Sequence, residues 1–193
     1  MSKRRLQIGF ELAMPEIFAR SGREGDFFFF GQWYPKPWVL LDDGRWHCHQ
    51  FHYHSEFFAD FARFHVEISA PRRFRIGASG REVGRHDHPD GTVTRVFEEE
   101  NIHAFAWTAW PGFLEYRESL ALAGNPFPTE IILLLDPDHR SDRLRYLQSL
   151  RFALKFFSER LFPYPYRTIT LVDPPARALE AGGMEYPTLI TGF

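Results

Sequence analysis

Ala181-Gly182-Gly183-Met184-Glu185-Tyr186-Pro187 sets two glycines directly ahead of a carboxylate on a segment of strand character. Glycines at such a point let a second backbone approach closely and leave amide groups to pair with an extended peptide. Glu185 would then offer its carboxylate to an ammonium group at the end of that peptide. The plainer reading is a glycine turn followed by an edge strand with an exposed glutamate, and these residues alone favour it.

A second cluster looks metallic at first sight. His47, His49, His52 and His54 stand close together, with Cys48 between the first two and Glu56 just beyond. On a strand, His47 and His49 share a face and could chelate together, Cys48 points the other way, and His52 and His54 make a second pair. The ordinary reading, which we prefer, is a strand and turn whose imidazoles bond to neighbours. His86 and His88, around Asp87, read as a solvated loop. Neither cluster has the spacing of a structural zinc site. The chain contains no HExxH pair, since the histidines from position 103 onward are His103 and His139 alone. It has no GxSxG elbow, no GxxxxGK loop and no CxxC pair, and Cys48 carries no sign of activation. No catalytic residue and no metal ligand is assigned.

The elements that position these residues follow from periodicity. Leu6, Ile8, Phe10 and Leu12 alternate, as do Phe64, Val66, Ile68 and Ala70, then Phe74, Ile76 and Ala78, then Phe105, Trp107 and Ala109. Each set predicts a half-buried strand. Ser21-Gly22, Asp43-Gly44, Ser79-Gly80 and Asp90-Gly91 punctuate them, which argues for an antiparallel sandwich, with Asp90-Gly91 the best hairpin candidate. Phe27 to Phe30 is a continuous apolar run between turns and predicts a buried strand. Beyond Pro126 and Pro128 the pattern changes. Ile131 to Leu135 predicts a strand, and Leu144, Leu147, Leu150, Leu154, Phe157 and Leu161 predict an amphipathic helix opening near Ser141-Asp142 and closing before Pro163. A strand at Thr168 to Val172 and a last extended segment from Met184 to Thr191 complete the series.

The fold class is therefore mainly β with an α/β start: a β-sandwich over residues 1–135 joined to the beginning of a second domain over 136–193. The chain has 193 residues, 44% of them hydrophobic, enough for one good core or two small ones. With 23 basic and 25 acidic side chains the net charge is −2, so no basic field exists to attract nucleic acid or an anionic membrane. No stretch approaches the roughly 18–20 apolar residues of a transmembrane segment, and no signal peptide opens the sequence. Cys48, the single cysteine, excludes an internal disulfide framework and leaves the compartment open.

Gly182-Gly183-Met184-Glu185-Tyr186 resembles the GxMEN exopeptidase signature of the aminopeptidase N and leukotriene hydrolase family of zinc gluzincins. Gly31-Gln32-Trp33-Tyr34-Pro35-Lys36, Trp46 to His52 with Ser55 to Phe61, and Pro163-Tyr164-Pro165-Tyr166 look like segments found in that order in bacterial members. The resemblance runs from about Gly31 to Thr191. It implies an N-terminal β-sandwich whose first strands are missing, followed by the first strands and helix of a thermolysin-like catalytic domain. It also implies that Glu185 binds the free α-amine of a peptide substrate, and that Gly182, Gly183 and Met184 contact its backbone. Gln32 or Asp26 would be the partner from the first domain, Gln32 being the one we carry forward. Tyr186 stands where the family has Asn. Zinc belongs to the expected parent enzyme, because the family's HExxH helix, third ligand and oxyanion tyrosine would follow Phe193. The chain itself would hold no zinc, and the histidine cluster is demoted. The alternative is a noncatalytic interaction module derived from the same fold.

Overall fold

The computed structural model describes residues 5–48, 50, 52 and 58–192. His49, His54 and Glu56 lie outside them. Three sheets and one helix stack as four layers. The outer layer is β5 (Ala62–Pro71), β7 (Arg81–Asp87) and β8 (Thr92–Ile102), in the order β5-β8-β7. Beneath it lie β1 (Ser21–Glu24), β2 (Phe27–Phe30), β6 (Arg75–Ala78) and β9 (Trp107–Trp110), in the order β1-β2-β9-β6. The third layer is β10 (Leu114–Leu120), β11 (Thr129–Leu135), β12 (Thr168–Val172), β13 (Met184–Tyr186) and β14 (Leu189–Thr191), in the order β10-β11-β12-β14-β13. Helix α1 (Arg143–Arg160) covers the far face. A short ribbon of β3 (Val39–Leu40) and β4 (Trp46–His47) stands apart. No helix among the described residues is long and apolar enough to cross a membrane.

The middle sheet explains the all-phenylalanine run. Phe27 and Phe29 pack toward the third layer with Leu134, Val172 and Leu189, whereas Phe28 packs toward the outer sheet with Ile76 and Phe105. A strand covered on both faces has no polar side, so alternation gives way to a continuous apolar run. The same rule applies to β12, buried at every position and parallel to both neighbours, β11 and β14. On β11, Ile131, Leu133 and Leu135 meet α1 while Leu134 meets the sandwich. The third sheet runs across position 135, and its core is continuous with that of the sandwich.

The predicted strands at 64–70, 74–78 and 105–109 appear as β5, β6 and β9, Phe105 lying just ahead of the last. The Asp90-Gly91 hairpin joins β7 to β8. Gly91 has φ +84°, and Asp90 Oδ1 accepts from the Thr92 amide at 2.9 Å. Four expectations need correction. Leu6, Ile8, Phe10 and Leu12 form no strand and are exposed, because alternation makes a strand only where a neighbouring edge supplies ladder bonds. His86 sits on β7 rather than in a loop, and His88 bonds through Nε2 to Thr94 Oγ1 at 2.7 Å. Leu144, Phe157 and Leu161 are not on the buried face of α1, which is Tyr146, Leu147, Leu150, Leu154 and Ser158. Met184 to Thr191 is a hairpin about Pro187-Thr188, not one extended segment.

Candidate functional site

Strand β13 is the outer edge of the third sheet, so one side of its backbone has no sheet neighbour among the described residues. The chain reaches it through Asp173-Pro174-Pro175 and a 3₁₀ segment, Ala176–Ala181, anchored by buried Ala178 and Ala181. Gly183 then takes φ +68°, a left-handed conformation that glycine adopts without steric cost. The glycine amides are not free, contrary to expectation. Gly182 N–H donates to Leu179 O at 2.8 Å, Gly183 N–H to Thr191 O at 3.0 Å, and Met184 N–H to Thr191 Oγ1 at 3.0 Å. The reversal from the 3₁₀ segment into β13 consumes these donors, so an extended peptide would meet the open edge of β13 instead.

The pleat of β13 decides where each side chain points. Glu185 lies opposite Ile190 and is exposed, on the sheet face that carries α1. Tyr186 lies opposite Leu189 and is buried against the sandwich, its ring 5.7 Å from that of Phe29. A Cβ at Gly31 would collide with the Tyr186 hydroxyl and with Arg20 O, so only glycine fits there. The Gly31-Gln32 corner thus abuts β13 through Tyr186. No hydrogen bond joins Gln32 to Glu185. The Gln32 Oε1 is buried with no hydrogen-bond partner among the described residues, in the wall of a cavity of about 200 Å³ formed with Tyr34, Lys36, Pro37, Trp38, His47 and Phe58. Burial pushes the Tyr34 hydroxyl up to about 12. Asp26 is on the surface and paired with Arg73 at 3.1 Å. The His47 ring packs edge-on against Phe58.

Two supports of the hairpin were not visible in the sequence. Thr188, 4% exposed with φ +59°, accepts from the Gly80 amide through Oγ1 at 2.6 Å, and its carbonyl accepts from the Thr170 amide at 2.8 Å. It bolts the β13–β14 turn to the β6–β7 turn of the sandwich. At the end of β12, Asp173 is 1% exposed and accepts from the Tyr146 hydroxyl at 2.8 Å and the Asp136 amide at 3.1 Å. His139 Nδ1 lies 2.9 Å from its second oxygen. The bond to Asp173 holds the His139 imidazole above its ordinary range. Burial, then Asp173, push the Tyr146 hydroxyl up to about 12. Within these two supports the positive φ of Thr188 breaks a local rule, and no residue-type signal marks it.

With this geometry in place, the comparison with solved structures bears on fold. The chain superposes on Legionella pneumophila aminopeptidase A, solved in complex with aspartic acid, at TM-score 0.64 and 14% identity. The fold of this chain is similar to that of part of that aminopeptidase. The match covers 92% of this chain and 20% of that one, so the chain spans about one fifth of the neighbour's length. No family profile matches the sequence, and no curated protein does. Among the described residues, no group of three or more His, Cys, Asp or Glu is assembled to hold a metal ion.

Proposed function

We propose that this chain forms the amine-binding side of the cleft of a zinc-dependent aminopeptidase, with Glu185 meeting the free amino end of a peptide laid along the open edge of β13. The observation that carries it is an exposed carboxylate on a strand at the open edge of the third sheet. Gly182, Gly183 and Met184 shape the approach of the peptide, with no Cβ at the first two to obstruct it. Gln32 is kept in the proposal as the contact from the sandwich side, where its Oε1 is buried without a hydrogen-bond partner among the described residues. Zinc belongs to this proposal as a cofactor of the whole enzyme, with no ligand assigned to this chain. The residues here bind and orient substrate, and no chemical step is assigned to them.

The test is a two-dimensional amide NMR titration of the chain with a tripeptide and with its N-acetylated form. The unblocked peptide should shift the amides of residues 183–186 and the acetylated one should not. Glu185→Gln should erase the difference. Equal shifts from both peptides would leave β13 as the edge of a noncatalytic interaction module. No shift from either removes the peptide seat altogether.

A further inference from the structure

A groove of about 320 Å³ follows the seam between the outer sheet and the loops that lead into β11 and β12. Arg63, Arg81, Glu98, Glu99 and Glu100 stand on the sheet side, and Phe127, Tyr166 and Arg167 on the loop side. Part of this charge is matched within the chain: Glu98 meets His65 Nδ1 at 2.8 Å, and Arg63 lies 3.3 Å from Glu100. Three groups are left over, because among the described residues no ion pair engages Arg81, Arg167 or Glu99. Glu99 lies opposite Phe64 and shares the inward face of β8 with Phe97, which leaves it half-buried. Its Oε1 accepts from the Glu100 amide at 3.1 Å, and burial holds its carboxyl above the ordinary range. A carboxylate drawn partly out of water without a cation at contact distance is costly, and an incoming ammonium would relieve that cost.

Both walls are held in place. Gly80, with φ +79°, brings the β6–β7 turn hard against β8, since a Cβ there would come within 2.9 Å of Glu99 Cβ, and its amide is tied to Thr188 Oγ1 at 2.6 Å. Arg81 therefore leaves the turn on the Glu99 side of the groove. On the loop side the Tyr166 hydroxyl donates to Asn101 O at 2.8 Å, and the Arg167 guanidinium lies 4.0 Å from the centre of the Phe127 ring. Stacking of that kind leaves the in-plane N–H groups of a guanidinium open to a carboxylate. We propose that the groove binds a small zwitterion, a free α-amino acid or a dipeptide, with its ammonium on Glu99 and its carboxylate on Arg81 and Arg167. Charge-assisted hydrogen bonds at the two ends supply recognition, and the anchored walls keep the ordering cost low. Neither Glu185 nor Gln32 lines this groove, which stands whether or not β13 seats a peptide.

The probes are L-alanine and L-alanyl-L-alanine, titrated at low ionic strength into the isotope-labelled chain and followed by amide NMR. At least one of them should shift the amides of residues 80–82, 98–100 and 166–167. Its N-acetylated form and its C-terminal amide, each lacking one charge, should both bind about fivefold or more weakly. Glu99→Gln should remove the advantage of the free amine over the acetylated form, and Arg81→Gln or Arg167→Gln the advantage of the free carboxylate over the amide. Arg63→Gln is the control on the same wall: Arg63 is already paired with Glu100, so binding should stay within about twofold. Circular dichroism shows that each variant is folded. Equal binding of the free and blocked forms, or a loss with Arg63→Gln equal to that with Arg81→Gln, overturns the proposal. So do shifts confined to residues 183–186, which would belong to the edge of β13 and leave this groove empty.

Discussion

Replacing Thr188 separates two physical effects in the turn that carries Glu185. The Thr188 hydroxyl is the acceptor for the buried Gly80 amide, and losing it orphans a donor at a cost of about 1–3 kcal/mol. The positive φ of 59° works in the other direction. A side chain there costs about 1–2 kcal/mol that glycine does not incur, partly offset by glycine's extra freedom when unfolded. Thr188→Ser keeps the acceptor and should be neutral to within about 0.5 kcal/mol. Thr188→Ala should destabilise by about 2 kcal/mol, and Thr188→Gly by about 1 kcal/mol because strain is relieved. Urea unfolding followed by circular dichroism and fluorescence reads these directly. With a slope of about 2 kcal/mol/M, Thr188→Ala should lower the midpoint by roughly 1 M. If Thr188→Ser costs as much as Thr188→Ala, the hydroxyl is not the bolt. If Thr188→Gly is as damaging as Thr188→Ala, the turn is not strained.

Gly31→Ala should destabilise by about 2–3 kcal/mol, since the new methyl meets the Arg20 carbonyl and the Tyr186 hydroxyl, and a denaturation midpoint reads it. Asp173→Ala should cost about 3–5 kcal/mol by leaving buried Tyr146 and Asp136 donors unpaired, measured in the same way. His139, 33% exposed beside Asp173, has a folded pKa raised above its unfolded value. Its stabilisation is therefore fully present below about pH 6.5 and is lost as pH rises through the folded value. The stability gap between the parent chain and His139→Gln should shrink across that window, with imidazole NMR titration giving the folded value. In a zinc-loaded enzyme containing this chain, Glu185→Gln should raise KM for unblocked peptides by roughly thirtyfold, the low end for an exposed carboxylate, and leave N-blocked peptides nearly unchanged.

Local pattern was enough for the elements whose neighbours are regular. Alternation located β5 and β6, continuous apolar runs located β2 and β11, and Asp90-Gly91 located a hairpin, because pleat and turn sterics act within a few residues. The same pattern misled at Leu6 to Leu12, since a strand exists only when another edge pairs with it. It also misled on α1, where 3.6-residue spacing identifies an apolar surface without telling how wide a stripe its neighbours cover. The motif from Gly182 to Tyr186 marked the edge strand, and its chemistry rests on residue types that sequence displays.

Tertiary structure decided the remainder. The pleat turned Glu185 toward the α1 face and Tyr186 into the sandwich. The Gly31-Gln32 corner reached β13 through Tyr186 rather than through Glu185. Asp26 was taken by Arg73, and Thr188 was bolted to Gly80 across a separation of 108 residues. Each of these depends on chain segments far apart in sequence coming within a few ångströms, and residue type and spacing carry no information about that distance. Residue order alone specifies the edge strand and the carboxylate on it; which face the carboxylate takes, and what holds it there, follows from the packing of four layers.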